Sequence, residues 1–593
     1  MVTTASIFFR TLAQAGITHA FVNWGNDHPT FLEELEKQRS ESADGSTQIQ
    51  IVTCPNEMVA LSAAQGYAQI TRLPAAVIVH VDVGTQALAG AVHNVDRTNT
   101  PVFIFSGASP FSSQGELVGS KNEWPMWVQD VPDQAGIVRQ YMRYTSKIQS
   151  GRTTATTILR ALQIAKSDPK GPVYLYAHRE VLAEEVEEKF AGTEINHSKW
   201  SPIQPTGLSP SAVDTISKAL VEASFPLLIT SHAGRNVKTV PLITQLSEHL
   251  SIALSTSCSP VISVPYSHPH YVGSYTKKRN HFIDEADVIL IIDTDVPWIE
   301  TYGSAPKKDA RIFVVDIDPL KPTMGWSHVD AELICRADAE VALNQLIEAT
   351  IRPEHSINVT LVKERSQELK SRHDRWIAEL EARENEFRET VSGANIIGVL
   401  RRAVEEKTPS RGAKTLWLDE AASNLPVVFD HVRPDVPGSF MCSGATSLGW
   451  ALGAAVGARL GARVIRREYE LIVAVVGDGV FLFGVPSSAY WIARRYETPY
   501  LTIVLNNGGW ASPRNSMLGV YPDGYGSKVS GQRLTIGFGP EMPDYGGIAA
   551  AAGGAWSRRA ESISQAKEAI EEGIRVVLEE KRCAVVECMI ESI

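Results

Sequence analysis

The chain has 593 residues, more than a single hydrophobic core supports, so several domains are expected. Hydrophobic residues at 44% and charged ones at 21% are ordinary for a globular enzyme, and a net charge of −11 without a local basic cluster disfavours nucleic acid and anionic membrane as partners. The cysteines are scattered without metal-ligand spacing and read as reduced thiols, which suits a cytoplasmic location.

The opening "MVTTASIFFRTLAQAGITHAF" reads as an amphipathic helix running into a strand and lacks the unbroken apolar centre of a signal peptide. Short β-branched runs then alternate with helical patterns in three blocks, the pattern of parallel sheets wrapped by helices. The first, over 1–185, holds "HAFVNWG", "IQIVTC", "AAVIVHV", "PVFIFSG" and "GPVYLYA". Charged residues at 185–200 and the Pro/Ser-rich "SPIQPTGLSPSA" after them predict a linker. The second block, over 206–350, is Rossmann-like, with "FPLLITSHAG", strand material within 249–257, "DVILIIDTD" and "ARIFVVDIDP". A long polar helix at 361–385 is the second connection. The third block, over 390–593, begins near "TLWLDEAASN" and closes with "CAVVECMI". Its least polar run, "SGATSLGWALGAAVGA" at 443–458, is too short and glycine-rich to span a bilayer. The expectation is an α/β protein of three domains, each a mainly parallel sheet with flanking helices. Blocks one and three match in size and strand count but show no residue-level repeat.

Two strand-like runs in the third block end in polar residues among glycines: "VVGDGV" at 475–480 and "IVLNNGGW" at 503–510. Ligands of open parallel sheets sit at the carboxyl ends of strands. Asp478 offers a carboxylate, Asn507 an amide oxygen and Gly509 a bare backbone carbonyl. Hard oxygen ligands combined with a diphosphate describe a Mg²⁺ site. Either motif alone reads as ordinary turn residues. Their separation by one strand–helix–strand unit can bring both loops to one point.

These motifs resemble the cofactor signature of thiamine diphosphate (ThDP)-dependent enzymes of the acetolactate synthase, pyruvate decarboxylase and benzoylformate decarboxylase type. The segment "CPNEMVALSAAQGYAQITRLPAAVIVH" at 54–80 is similar to the part of that family that carries its catalytic glutamate, and the likeness extends through "DVILIIDTDVPW" and "SLGWALGAAVGARL". The resemblance implies pyrimidine-binding, central and diphosphate-binding domains, with Asp478, Asn507 and the Gly509 carbonyl holding Mg²⁺ on the diphosphate. It places Gly477, Gly479, Ser423 and Thr446 around the cofactor and makes Leu448 the apolar support that bends it. Leu448 reads equally well as ordinary core. Glu57 is implied to bond the aminopyrimidine ring of a neighbouring subunit's cofactor, which requires a homo-oligomer; its plain reading is an acid at a helix start.

For the substrate, the resemblance points to Asn26, His80 and Gln129. Asn26 takes a loop position where relatives carry a substrate-facing polar residue. His80 matches a histidine of benzoylformate decarboxylase-like members and could relay protons, though a strand-end histidine bonded to backbone is an equal alternative. Gln129 resembles an active-site glutamine of the acetolactate synthase branch. No adjacent histidine pair is found, the segment after Asn507 lacks the acid of the pyruvate decarboxylase branch, and Glu300 stands where a second histidine is expected. Incomplete acid equipment favours carboligation, so the first expectation is an acetolactate synthase-like carboligase or 2-oxo-acid lyase. It would act on a 2-oxo acid, with an aldehyde or second 2-oxo acid as acceptor. A benzoylformate-type decarboxylase is the alternative. An oxidoreductase using the central domain has little support, because "SHAGRN" has one glycine where a dinucleotide fingerprint needs three. That domain could carry a structural FAD, though none is expected.

Overall fold

The computed structural model describes residues 1–190, 197–275, 278–324, 329–353, 355–386 and 390–593, so part of the charged stretch at 185–200 lies outside the described residues. It contains three six-stranded sheets, all of whose paired strands run parallel. The first comprises β1 (His19–Val22), β2 (Gln50–Thr53), β3 (Ala75–Val79), β4 (Val102–Ala108), β5 (Tyr144–Lys147) and β6 (Val173–His178), ordered β2-β1-β3-β4-β6-β5. The central sheet comprises β7 (Pro226–Thr230), β8 (Ala253–Thr256), β9 (Tyr271–Ser274), β10 (Val288–Ile292), β11 (Arg311–Asp316) and β12 (Leu333–Arg336), ordered β9-β8-β7-β10-β11-β12. The third comprises β13 (Thr415–Glu420), β14 (Phe440–Cys442), β15 (Leu471–Gly477), β16 (Leu501–Asn506), β17 (Trp556–Ala560) and β18 (Ala584–Met589), ordered β14-β13-β15-β16-β18-β17.

Counted within each domain, the first and third sheets share one order, 2-1-3-4-6-5, while the central sheet has the Rossmann order 3-2-1-4-5-6. The repeat that the sequence conceals is therefore topological. In both outer sheets the strand order reverses between the first and third strands, which opens a crevice at their carboxyl ends. Every strand named from sequence is present. The edge or near-edge strands β5, β9, β12, β14 and β17 were missed, since polar or short runs such as "YTSK", "LICR" and "WSRRA" lack a continuous apolar face.

Two helices join the outer sheets. Helix α1 (Glu57–Thr71) begins behind Asn56, whose side chain accepts from Val59 N–H, and ends at Arg72 with φ 61°. It packs on α2 (Val83–Arg97) and on α3 (Ala451–Val464) of the third domain. Glycines set the approach of α1 and α3. A Cβ at Gly66 would stand 2.7 Å from Ala454 Cα, one at Gly453 3.0 Å from the Val59 carbonyl oxygen, and one at Gly457 2.6 Å from the Ala63 carbonyl carbon. Around this contact one apolar cluster runs from Val77 and Ile104 of the first sheet to Ala474 and Val504 of the third.

The long helix Val359–Glu384 is pinned at both ends. Near its start the buried Arg365 donates to carbonyls of Ser251, Ala223 and Ser224; at its end the buried Glu384 pairs with Arg401, Arg402, Arg433 and His431. It is a fixed strut between the central and third domains. Among the described residues no helix is long and apolar enough to cross a membrane. None of the cysteines is in a disulfide, and Cys258 alone is exposed.

Candidate active site

The crevice of the first sheet is built from the loop after β1 and the end of β3. The loop delivers Asp27 and the strand delivers His80, and the His80 ring, through Nδ1, makes a short hydrogen bond to Asp27 Oδ1. Asp27 Oδ2 accepts from Val81 N–H at 3.0 Å and lies 3.4 Å from Nε2 of the fully buried His28. Because His28 Nδ1 accepts from Gly25 N–H at 3.1 Å, its proton sits on Nε2, toward Asp27. Burial alone would raise Asp27, but His28 and His80 hold its carboxyl below the usual range. Burial also opposes charge on His80, yet the bond and charge of Asp27, joined by Glu57 and Asp82, raise it above the ordinary histidine value. His80 keeps 22% side-chain exposure, and its Nε2 makes no hydrogen bond among the described residues. Glycine makes the pair feasible: a Cβ at Gly25 or Gly107 would overlap the His80 ring or the Asp27 carboxyl. Behind it, Ser106 donates to the His80 carbonyl at 2.9 Å and is itself held by the buried Gln134, which also bonds Tyr174 and the Gly107 carbonyl.

The other residues expected on this side lie around that pair. Half-buried Glu57 opens α1. A Cβ at Gly84 would lie 3.1 Å from His80 Cβ and 3.4 Å from Glu57 Oε1, so both flank the start of α2. Asn26 turns its amide nitrogen to Glu123 at 2.9 Å and leaves its buried oxygen unbonded; the residue that meets His80 is its neighbour, Asp27. Gln129 bonds Ser109 at 2.9 Å in a loop that arches over the crevice, anchored by Glu180 to Ser112 and by Arg179 to Asn122. Glu300 is exposed in the central domain.

The third sheet places its polar residues at the equivalent crevice. Buried Asp478 begins the helix after β15, with Oδ1 accepting from Gly479 N–H at 2.7 Å and Oδ2 from Gly509 N–H at 2.8 Å. The end of the Asn507 amide lies 3.3 Å from Asp478 Oδ2 and 2.7 Å from the Gly509 carbonyl oxygen. With its nitrogen inward this amide donates to both; with its oxygen inward, three oxygens converge. The edge of a Mg²⁺ octahedron is about 3 Å, from metal–oxygen distances of about 2.1 Å, so the oxygen-inward arrangement fits a hard divalent cation. Burial pushes Asp478 up to about 6 against the pull of the surrounding backbone N–H groups. A Cβ at Gly477 would meet only ordinary contacts, 3.8 Å from Val480 Cγ2 and 3.9 Å from the Ala421 carbonyl oxygen, whereas a Cβ at Gly479 would stand 2.8 Å from Trp510 Nε1. Gly509, at φ 152°, has the Ile536 carbonyl against its Cα.

Ser423 is half-buried in the turn Ala422–Asn424, which packs on β15; Leu448 is half-buried against the core cluster shared by the outer domains; Thr446 is exposed. Two contributors here were missed from sequence. Glu420, the last residue of β13, accepts from the N–H groups of Gly449, Trp450 and Ala451 at 2.9, 3.0 and 2.7 Å and so fixes the loop that carries Leu448. Burial raises it to about 7 while those donors oppose the rise. An Asp-Glu pair ending a buried strand in "TLWLDE" was the available signal. Ile593, far off in sequence, donates from its backbone to the Asn507 carbonyl at 3.1 Å and packs against Gly509 and Gly531. No group of three or more His, Cys, Asp and Glu side chains able to hold a metal occurs among the described residues; this oxygen set contains only one such side chain.

Comparison with known proteins decides the family. Residues 2–137, 213–346 and 422–588 match the thiamine pyrophosphate enzyme N-terminal TPP binding domain, central domain and C-terminal TPP binding domain. The chain belongs to the thiamine pyrophosphate enzymes. Among relatives of this enzyme, 2-hydroxyacyl-CoA lyase of Saccharomyces cerevisiae is 20% identical, over 78% of each chain. Benzoylformate decarboxylase of Pseudomonas aeruginosa is 23% identical, over 87% of this chain and 88% of its own. The fold of the enzyme superposes on that of benzoylformate decarboxylase from Polynucleobacter necessarius with a TM-score of 0.76 at 19% identity, covering 100% and 99% of the two chains. The two crevices thus lie in the two TPP binding domains. No hydrogen bond or ion pair among the described residues joins Glu57 or His80 to Asp478, Asn507 or Gly509.

Proposed function

We propose that this enzyme is a ThDP- and Mg²⁺-dependent decarboxylase of 2-oxo acids, with His80 delivering the proton that replaces the lost carbon dioxide. The observation that carries this reading is the Asp27–His80 pair. A ring bonded through Nδ1 to a buried carboxylate, raised in pKa and free at Nε2, is equipped to give up and recover a proton near neutral pH. From sequence the acid equipment looked incomplete and carboligation came first. With Asp27 behind His80 that argument falls, and protonation becomes the better-supported fate; transfer of the acyl unit to an acceptor carbonyl is the second outcome, supported by Gln129 in the loop above the crevice.

ThDP when bound supplies the electron sink for carbon dioxide loss. Asp478, Asn507 and the Gly509 carbonyl would hold Mg²⁺, with Gly477 and the turn at Ser423 beside the phosphates. Leu448, on the loop fixed by Glu420, would support the ring system from below. Glu57 would hydrogen-bond the aminopyrimidine ring, donating as the acid and accepting as the carboxylate, and so exchange a proton with it. With the two crevices unconnected within one chain, we infer a homodimer or larger even oligomer, in which Glu57 and His80 of one copy face Asp478 of another. Exposed Trp124, Trp127 and Val128 on the first domain and Trp510, Val520 and Tyr521 on the third are apolar surface suited to such an interface.

The test is a panel of 2-oxo acids incubated with enzyme, ThDP and Mg²⁺, with and without aldehyde acceptors, with released carbon dioxide and carbonyl products identified by mass spectrometry. ThDP-dependent release of carbon dioxide and free aldehyde is expected, falling at least about a hundredfold in His80→Ala. No release from any 2-oxo acid, or a His80→Ala variant that forms aldehyde at the wild-type rate, would overturn the reading.

A further inference from the structure

One residue beside His80 is given no proton-transfer role above, and its backbone is held in an unusual conformation. Asp82 caps α2 with φ 45° and ψ −74°, a conformation that residues bearing a Cβ rarely adopt, and its side chain makes no capping bond in return. The residue is 4% exposed, and Oδ1 is buried with no hydrogen-bond partner among the described residues. A helix start is ordinarily stabilised by such a side chain turned back on its own N–H groups. Here the chain accepts strain and forgoes that bond to keep a carboxyl between the His80 strand end and the loop that carries Gln129.

We propose that Asp82 is a substrate-contacting, specificity-determining residue of this site, whose carboxyl in its proton-bearing form donates a hydrogen bond to the carboxylate of the 2-oxo acid and, once ionised, repels it. The proposal rests on the function proposed above. Its surroundings suit a switch between those forms. Burial, and then the Asp130 carboxylate, push Asp82 up to about 6, while Val131 N–H and His80 pull it down and Asp27 adds to the rise. The charged groups around it are His80 at the end of β3, Asp27 on the loop after β1, Glu57 at the start of α1, and Asp130 on the overlying loop with Lys121 3.9 Å from its carboxylate. An anion entering among these acids gains a second donor beside His80 only while Asp82 keeps its proton.

The experiment measures kcat/KM against pH for the holoenzyme, with its best 2-oxo acid, in wild type, Asp82→Asn, Asp82→Ala and Asp82→Gly. Asparagine keeps a donor, cannot ionise and tolerates positive φ. Asp82→Asn is expected within about twofold of wild type near pH 6 and about fiftyfold above it near pH 8, because one group ionising near 6 is half ionised there and costs about tenfold per pH unit beyond it. Asp82→Ala should raise KM about tenfold near pH 6 with ThDP affinity unchanged. Asp82→Gly relieves the backbone, so it should be at least as stable as wild type and still share the KM defect; a purely structural role would not separate the two. An Asp82→Asn profile that superimposes on wild type, or an Asp82→Gly variant with wild-type KM, sinks the proposal while leaving the decarboxylase reading intact. A wild type without ThDP-dependent turnover sinks that reading, and this proposal with it.

Discussion

Replacing Asp27 by asparagine isolates the pair on which the functional reading stands. The amide oxygen can still accept from Val81 N–H, now 3.0 Å from Asp27 Oδ2, so the backbone loses little. Its nitrogen then faces His80 Nδ1, which has to become an acceptor, forcing the ring into the neutral Nε2–H tautomer. A hydrogen bond between a buried carboxylate and an imidazolium is worth about 1.5–3 kcal/mol, discounted to about 1–2 for the partial exposure of His80. At about 1.4 kcal/mol per pKa unit, His80 should titrate about one unit lower in Asp27→Asn. The sign also fixes the stability window. His80 is raised, so its share is complete below the ordinary value of 6.5 and is lost as pH rises through the folded one. Asp27 is lowered, so its share is present above 3.8 and is lost as pH falls through the folded value. Wild type should therefore exceed Asp27→Asn in stability most between those two values. NMR titration of the His80 ring, with denaturant unfolding near pH 5 and 8, gives both quantities. An unmoved His80 titration, or a stability gap that widens toward pH 8, would refute the reasoning.

Glu57→Gln should keep ThDP affinity within about tenfold, since one neutral hydrogen bond replaces a stronger one, while proton exchange at C2 of bound ThDP, followed by NMR in deuterated water, slows far more; equal exchange would reduce Glu57 to a helix-start acid. Asp478 near 6 predicts that Mg²⁺ affinity falls about tenfold per pH unit below that value and that Asp478→Ala abolishes Mg²⁺-dependent ThDP binding by calorimetry; pH-independent affinity would dismiss Asp478 as a ligand. Gly457→Ala sets a methyl into the Ala63 backbone and should cost about 2 kcal/mol or more, lowering the melting temperature, whereas Gly519→Ala, with nothing within 4 Å, should leave it unchanged or raised. Ile593→Ala removes the side chain wedged against Gly509 and should weaken Mg²⁺-dependent ThDP binding several-fold without altering the melting temperature of the ligand-free protein; unchanged binding would make the contact incidental.

Much of this protein was legible in one dimension because its buried strands are continuous β-branched runs that end in glycine and polar residues. That pattern disclosed three parallel α/β sheets and pointed to Asp478, Asn507 and Gly509, whose local geometry depends on backbone a few residues away. Tertiary structure decided what depends on distant chain. It exposed the common strand order of the outer sheets, which hydrogen bonding between non-adjacent strands defines and residue identity does not. It brought Asp27 to His80 across a strand crossing, where sequence had pointed one residue earlier to Asn26, because which side chain of a loop turns inward is set by the glycines and helices packed around it. It also brought Glu420 to the loop of Leu448 and Ile593 to Asn507. Periodicity reports which face of an element is buried; only the packed chain decides which group, tens of residues away, waits there to meet it.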